Sequence, residues 1–162
     1  LGQNPRKILK SFISPGMTIL DLGCGPGFFT TEIASILDES GKVIAADLQE
    51  GMLEKLRKKI KDTVLDNRIE IHKCEAGRIG ISSNVDFIVA FYVIHEIKDH
   101  PKLFGELKSI IKPGGKIYIS EPIFHVSAEA FERMIQGFAE NGFIAVARPS
   151  VLFSRSVVMQ SV

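Results

Sequence analysis

The 162-residue sequence contains no tryptophan, only two cysteines and no excess of charge of either sign. Cys24 and Cys74 sit in dissimilar surroundings, so we expect neither a disulfide framework nor a zinc site, and they fit a reducing cytoplasm. With a net charge of +1 and its acids and bases interspersed, the chain lacks the basic surface expected of a nucleic-acid-binding protein. No apolar run approaches the roughly 20 residues that span a bilayer, and no signal peptide opens the sequence.

No repeat, low-complexity tract or linker divides the chain, so residues 1–162 are predicted to form a single domain. Apolar runs rich in β-formers alternate with helical patterns. The predicted strands cover 18–23, 43–48, 68–76, 85–94, 116–122, 143–148 and 152–160. The predicted helices cover 4–13, 28–37, 50–62, 100–111 and 128–141, and the segment 112–116 is predicted to be a turn.

This alternation favours an α/β fold with a parallel sheet covered by helices on both faces. The link between the last two strands is too short for a parallel crossover, so these strands are predicted to pair antiparallel. Residues 77–84 are also too few for a helical crossover and are interpreted as a loop or single turn. In such a sheet the ligand lies beyond the carboxyl ends of the strands, where the strand order reverses.

The segment ILDLGCGPGFFT, residues 19–30, places a glycine-rich turn at the end of the first strand. A dinucleotide fingerprint requires glycine at its sixth position, where Phe28 stands and is expected to hold the helix away from the strand. Asp21 would repel a pyrophosphate but would attract an ammonium or a sulfonium. The pattern therefore suits S-adenosylmethionine, whose carboxylate is expected to meet free backbone N–H groups of the turn.

A second acid, Asp47, ends the second strand 20 residues after Gly27. A carboxylate at this position can accept hydrogen bonds from both hydroxyls of a ribose. Asp47 alone is not specific, because a strand-end aspartate is often only a cap. Together with the glycine spacing, it predicts a bound nucleoside.

The segments ILDLGCGPGFFTTEIA, VIAADLQEGMLEKLRKK, IHKCEA, VDFIVAFYVIHEI and LKSIIKPGGKIYISEP resemble, in this order, the motifs of class I S-adenosylmethionine-dependent methyltransferases. Within that class they are similar to the small-molecule group that includes quinone-biosynthesis C-methyltransferases. The resemblance covers roughly residues 5–122. It implies a Rossmann-like, doubly wound, seven-stranded sheet of order 3-2-1-4-5-7-6, with strand 7 antiparallel and helices on both faces.

The resemblance also implies roles for individual residues. The turn around Cys24, with Asp21 nearby, would wrap the methionine part of the cofactor through Gly23, Gly25 and Gly27. Asp47 would hold the ribose. The adenine would lie between Leu48 and Met52 and be read by Glu75 and the backbone of Ala76. The carbonyl of Phe91 would receive the methionine ammonium, and S-adenosylhomocysteine would be the product.

Methyl transfer from a sulfonium needs in-line placement of the acceptor, exclusion of water and, where the acceptor carries a proton, a base. The segment after the fourth strand offers His95 and Tyr92 as catalytic candidates. Imidazole side chains titrate near neutral pH, which favours His95. A histidine that only shapes the pocket, and a tyrosine that only packs, remain alternatives.

The acceptor is predicted to be a small molecule. Residues 90–93 read AFYV and lack the Asn or Asp, Pro, Pro, aromatic motif of enzymes that methylate amino groups of bases or glutamine amides. No pair of His or Cys has zinc-ligand spacing, so no metal is predicted. Two other functions stay open. One is a cofactor-binding module without transferase activity. The other is a nicotinamide dehydrogenase, which Phe28 disfavours because it replaces a glycine of the dinucleotide fingerprint.

Overall fold

Strands and helices alternate along residues 4–162, which are the residues that the computed structural model describes. Within this range the helices are α1 (Pro5–Leu9), α2 (Phe28–Ile36), α3 (Glu50–Ile60), α4 (His100–Ile110) and α5 (Ala128–Glu140). The strands are β1 (Thr18–Leu22), β2 (Lys42–Asp47), β3 (Ile69–Lys73), β4 (Val85–Phe91), β5 (Ile111–Pro122), β6 (Phe143–Ala147) and β7 (Ser154–Ser161). Two short 3-10 helices occupy Asp66–Arg68 and Ile94–Glu96.

The strands form one seven-stranded sheet of order β3-β2-β1-β4-β5-β7-β6, as predicted. The pairs among β1 to β5 are parallel, whereas β7 is antiparallel to both β5 and β6. The order reverses between β1 and β4, which are adjacent although two strands separate them in sequence. This reversal places the functional edge at the carboxyl ends of β1 and β4.

The helices bury apolar faces on both sides of the sheet. On one side α1, α2 and α3 contribute Leu9, Ile33, Leu53 and Leu56 to a core built with β1, β2 and β4. On the other side α4 and α5 bury Leu103, Leu107, Ile110, Phe131, Met134, Ile135 and Phe138. The sheet therefore presents only its edges and loops for ligand contact.

Local signals at the helix ends agree with the sequence. Asn4 caps α1, with Pro5 in the first turn, and Ser127 caps α5 by accepting a hydrogen bond from the Ala130 amide. Gly142 follows α5 with a φ of 84°, a left-handed conformation that glycine adopts at little cost.

Most elements differ from their predicted bounds by one or two residues, β3 and β4 each end three residues early, and α1 and β5 differ most. α1 ends at Leu9 instead of residue 13, and the following turn lets Phe12 pack on Phe87 and Tyr118 at ring-centroid distances of 6.1 and 5.6 Å. The segment predicted as a turn at 112–116 lies inside β5, because Ile111 already pairs with Val85 before a bulge interrupts the ladder. Among the residues described, no helix is long and apolar enough to cross a membrane.

Candidate active site

A cavity of about 200 Å³ opens at the carboxyl ends of β1 and β4. Its lining is formed by Asp21, Gly23, Cys24, Gly25, Pro26, Phe28, Phe29, Phe91 and Tyr92. The structure thus brings together six of the predicted site residues from two distant segments of the chain. The predicted ribose and adenine residues, and His95, lie outside this lining.

The glycine-rich turn has three left-handed residues, with φ values of 69° at Gly23, 54° at Gly25 and 92° at Gly27. A Cβ on Gly23 would lie 2.4 Å from Val93 Cγ2 and one on Gly27 would lie 2.4 Å from Leu56 Cδ1, whereas one on Gly25 would meet no atom within 4 Å. Gly23 and Gly27 are therefore required both by conformation and by close packing. Gly25 faces open space and lets a ligand approach the backbone.

The expectation that this turn leaves its N–H groups free is wrong. The amides of Gly23 and Cys24 donate to the Ala46 carbonyl at 2.8 and 3.0 Å, and the Gly27 amide donates to Cys24 at 3.1 Å. The Gly25 amide donates to Asp47 Oδ2 at 2.8 Å. Among residues 23–30, the amides that have no acceptor within the described chain are those of the first turn of α2, at 28–30, as expected at a helix start.

The reason given for Phe28 also needs correction. Phe28 is the first residue of α2, and its side chain is 45% exposed and lines the cavity. It does not separate the helix from the sheet. The close approach that requires glycine occurs one residue earlier, at Gly27, and it is to Leu56 of α3 and not to the sheet.

Asp21 is a buried acid in the cavity wall, with only 3% of its surface exposed. Thr30 Oγ1 donates to its Oδ2 at 2.6 Å, whereas no donor among residues 4–162 reaches its Oδ1. Burial raises the pKa of Asp21 to about 6, the Thr30 hydrogen bond opposes this rise and the nearby Asp47 adds to it. A buried carboxyl with an unsatisfied oxygen fits a ligand that brings a positive charge or a donor.

Asp47 connects the loops that follow β1 and β2. Its Oδ2 accepts from the Gly25 amide and its Oδ1 from the Gln49 amide, each at 2.8 Å. A carboxylate offers about four lone-pair sites, so both oxygens keep capacity for further donors such as ribose hydroxyls. Asp47 therefore shapes the glycine turn by fixing the Gly25 amide.

Of the residues predicted around the adenine, Leu48 lies on the loop after β2, Met52 lies in the first turn of α3, and Glu75 and Ala76 lie on the loop after β3. Leu48 is 52% exposed, Met52 is half-buried, and Glu75 and Ala76 are exposed. Lys73 Nζ donates to the carbonyls of Leu48 and Cys74, which ties the loop after β2 to the loop after β3. The geometry brings these residues to the same edge of the sheet as the glycine turn.

Tyr92 follows β4 in a left-handed conformation, with a φ of 60°. This conformation is uncommon for a bulky residue and is typical of functional or tightly constrained positions. The Tyr92 amide donates to the Ser120 carbonyl at 2.8 Å, and its hydroxyl hydrogen-bonds to Ser154 Oγ at 2.5 Å. Its ring packs against Phe91 at a centroid distance of 4.4 Å, so Tyr92 is held at both ends.

His95 lies in the short 3-10 helix after β4, and its side chain is 22% exposed. Its Nδ1 is hydrogen-bonded to Glu121 Oε2, and the other oxygen of Glu121 accepts from the Ile94 amide at 2.9 Å. The Glu121 side chain is 1% exposed. Burial raises the pKa of Glu121, and its contacts with His95 act in the opposite direction.

The sequence did not predict this pair, because Glu121 was not among the predicted site residues. An ionised Glu121 can only accept, so it places the His95 proton on Nδ1 and leaves Nε2 as the basic nitrogen, which is the arrangement of an oriented general base. His125 packs beside His95 at a ring-centroid distance of 5.6 Å. The only available signal was that Glu121 lies near the carboxyl end of β5 and that His95 follows the end of the adjacent strand β4.

The two cysteines are not activated as nucleophiles, and the described residues form no metal site. Burial raises the pKa of the Cys24 thiol, and it raises that of Cys74 to about 11, so both thiols stay protonated at neutral pH. Among the described residues, no group of three or more His, Cys, Asp or Glu could hold a metal ion.

Residues 13–153 match a family model described as a methyltransferase domain. The chain is 28% identical over 126 residues to the ubiquinone/menaquinone biosynthesis C-methyltransferase UbiE of Escherichia coli, a match that covers 75% of this chain and 50% of that protein. The chain thus spans about half the length of the curated relatives it matches.

Solved structures show the same fold. The crystal structure of a SAM-dependent methyltransferase from Aquifex aeolicus matches with a TM-score of 0.87 and 29% identity, covering 98% of this chain and 90% of that one. An S-adenosylmethionine-dependent methyltransferase from Mesorhizobium loti matches with a TM-score of 0.78 at 16% identity, covering 97% and 98% of the two chains.

Proposed function

The chain belongs to the methyltransferase domain family, and we propose that it transfers a methyl group from S-adenosylmethionine to a small-molecule acceptor. The observation that carries the proposal is the buried Asp21, whose Oδ1 lacks a donor in the wall of a cavity built by the glycine turn. A cationic amino-acid ligand satisfies that oxygen. We further propose a cytoplasmic enzyme in which residues 1–162 form one domain.

The proposed cofactor contacts follow the predicted residues with one change. Asp21 and the turn at 23–27 hold the methionine part, and the free amides at the start of α2, rather than the glycine amides, receive its carboxylate. Asp47 holds the ribose. Leu48, Met52, Glu75 and Ala76 surround the adenine, and the Phe91 carbonyl receives the ammonium.

When bound, S-adenosylmethionine supplies a methyl group on a cationic sulfur that leaves as a neutral thioether, so no acid is needed. His95 Nε2 takes the proton from the acceptor, whose released electron pair forms the new bond. Glu121 keeps the imidazole in the required orientation and stabilises the cation that forms on it. Phe28, Phe29, Phe91 and Tyr92 exclude water from the cavity.

Calorimetry with S-adenosylmethionine and S-adenosylhomocysteine tests the binding step. We expect saturable binding of both, and no binding of either at millimolar concentration would exclude the proposal. Transfer of a labelled methyl group is then measured with a panel of 1,4-naphthohydroquinone, 2-naphthol and catechol. The hydroquinone is included because the similar E. coli protein acts in quinone biosynthesis. Binding without transfer to a wide panel would support the non-catalytic module instead.

Replacement of Asp47 with alanine is expected to weaken S-adenosylhomocysteine binding by roughly 1–3 kcal/mol. The substitution removes the proposed ribose acceptor and also releases the Gly25 and Gln49 amides that Asp47 orders. Calorimetry measures the change in affinity. Asp38→Ala is the matched control, because Asp38 bonds to Ser40 outside the cavity. Equal affinity of the Asp47 variant and the wild type would refute the assignment.

A further inference from the structure

Large apolar side chains, Leu152 among them, are exposed on two neighbouring loops at the active-site edge. Phe124 is 79% exposed and Ile123 is 37% exposed on the loop after β5, and Phe153 is 60% exposed just before β7. We call these three residues the apolar platform. Exposed apolar side chains that cluster in this way mark interaction sites more often than isolated ones do.

Contacts between the two loops hold the residues of the apolar platform together. The Ile123 amide donates to the Phe153 carbonyl at 3.1 Å, and the rings of Phe124 and Phe153 lie 6.1 Å apart between centroids. Phe153 adopts a left-handed conformation with a φ of 55°, which is unfavourable for a bulky side chain. The two loops are therefore joined, and one of them holds a strained residue that keeps a phenylalanine in solvent.

Both loops of the platform continue into the proposed active site. Ser154, next to Phe153, hydrogen-bonds to the hydroxyl of Tyr92, which lines the cavity. His125, next to Phe124, packs its ring beside His95. The platform thus adjoins the side of the cavity where the base candidate lies.

The size and charge of the platform indicate what covers it. A stable protein interface buries about 800 Å² and 20–30 residues on each partner, far more than three side chains supply. Segments 122–126 and 151–154 contain no Lys, Arg, Asp or Glu, and the neighbouring Arg155 is engaged by the Val126 carbonyl, to which its Nε donates at 3.2 Å. A neutral, apolar part of a small molecule fits these features.

We propose that the apolar platform binds the neutral, ring-bearing part of the methyl acceptor and places its reactive proton at His95. This inference rests on the proposed function. It assigns acceptor recognition to the loops after β5 and before β7. Phe124 and Phe153 are specificity-determining residues, because an aromatic ring of the acceptor stacks on them.

The test uses 2-naphthol as the probe and the full chain saturated with S-adenosylhomocysteine. We expect the wild type to quench or shift the naphthol fluorescence saturably, and Phe124→Ser and Phe153→Ser each to weaken this binding about tenfold. Ile144→Ser is the matched control, because Ile144 is a 49% exposed apolar residue of β6 away from the cavity. The control is expected to bind naphthol like the wild type.

Several outcomes would overturn the inference. These are absence of naphthol binding, equal binding by the wild type and both phenylalanine variants, and equal weakening in the Ile144 control. Loss of a concentration-dependent self-association in Phe124→Ser, measured by sedimentation, would show that protein covers the platform. S-adenosylhomocysteine affinity and melting temperature are measured for every variant. If the phenylalanine variants bind S-adenosylhomocysteine normally and their naphthol binding is unaltered, only the platform inference is refuted. If the wild type does not bind S-adenosylhomocysteine, the proposed function is refuted.

Discussion

Asp21→Asn is expected to stabilise the ligand-free protein at pH 8 by about 3 kcal/mol. Burial raises the pKa of Asp21 from 3.8 to about 6, and each pKa unit corresponds to about 1.4 kcal/mol. The ionised carboxylate is therefore a net cost to folding above pH 6. Asparagine keeps an oxygen that accepts the Thr30 hydrogen bond and removes the buried charge.

The pH dependence gives the sign of this effect. Because the folded pKa of Asp21 lies above its unfolded value, its contribution to stability is fully present below about pH 4 and is lost as the pH rises through 6. Urea unfolding at pH 4 to 8 measures this contribution to the free energy of unfolding. The Asp21→Asn variant should lack the loss of stability that Asp21 causes as the pH rises.

Asp86→Asn is the contrasting control. Burial acts to raise the pKa of Asp86, but hydrogen bonds from Lys112 and Thr18 lower it overall. That variant should lose stability above pH 4. Identical slopes for Asp21→Asn and the wild type would contradict the expectation.

The same substitution should weaken ligand binding, since a hydrogen bond to a charged group contributes roughly 1.5–3 kcal/mol. If Asp21 faces the sulfonium, binding of S-adenosylmethionine weakens and binding of S-adenosylhomocysteine does not. If it faces the ammonium, both weaken equally. In either case the Asp21→Asn substitution raises the free energy of unfolding and weakens the binding of S-adenosylmethionine. This opposition is expected for a residue that function requires.

The alternation of strands and helices and the antiparallel β7 could be predicted because their determinants are local, whereas the strand order was implied only by the family resemblance. Alternating strands and helices, the short link before β7 and the caps at Asn4 and Ser127 are all present in contiguous sequence. The apolar face of α5 could be predicted for the same reason, since its period is visible within 13 residues.

The details of the site could not be predicted, because they depend on contacts between distant residues. The Gly25 amide bonds to a carboxylate 22 residues away, and His95 meets Glu121 across 26 residues. Glycine spacing indicates where the backbone turns, but it does not show which amides of the turn already donate hydrogen bonds within the protein. The bulge in β5 likewise arises from pairing with β4, which the sequence of residues 112–115 does not encode.

His95→Gln is expected to lower kcat by roughly 10² to 10⁴-fold with little change in KM, using whichever member of the acceptor panel is methylated. The substitution removes the only proposed proton acceptor and leaves the residues of the cofactor cavity intact. Initial rates of labelled methyl transfer measure the loss. Tyr92→Phe is the discriminating control, because it removes only the hydroxyl that bonds to Ser154. A larger loss in Tyr92→Phe than in His95→Gln would assign the proton to the tyrosine.

Glu121→Gln tests the positioning role that the geometry gives to the buried carboxylate. Glutamine keeps an oxygen or an amide near His95, but it removes the charge that orients Nδ1–H and stabilises the protonated ring. We expect kcat to fall with KM unchanged, and ¹⁵N NMR to show that His95 no longer carries its proton mainly on Nδ1. A purely structural role would lower stability without altering the tautomer. Loss of activity with the wild-type tautomer retained would therefore remove Glu121 from the mechanism and leave His95 to act alone.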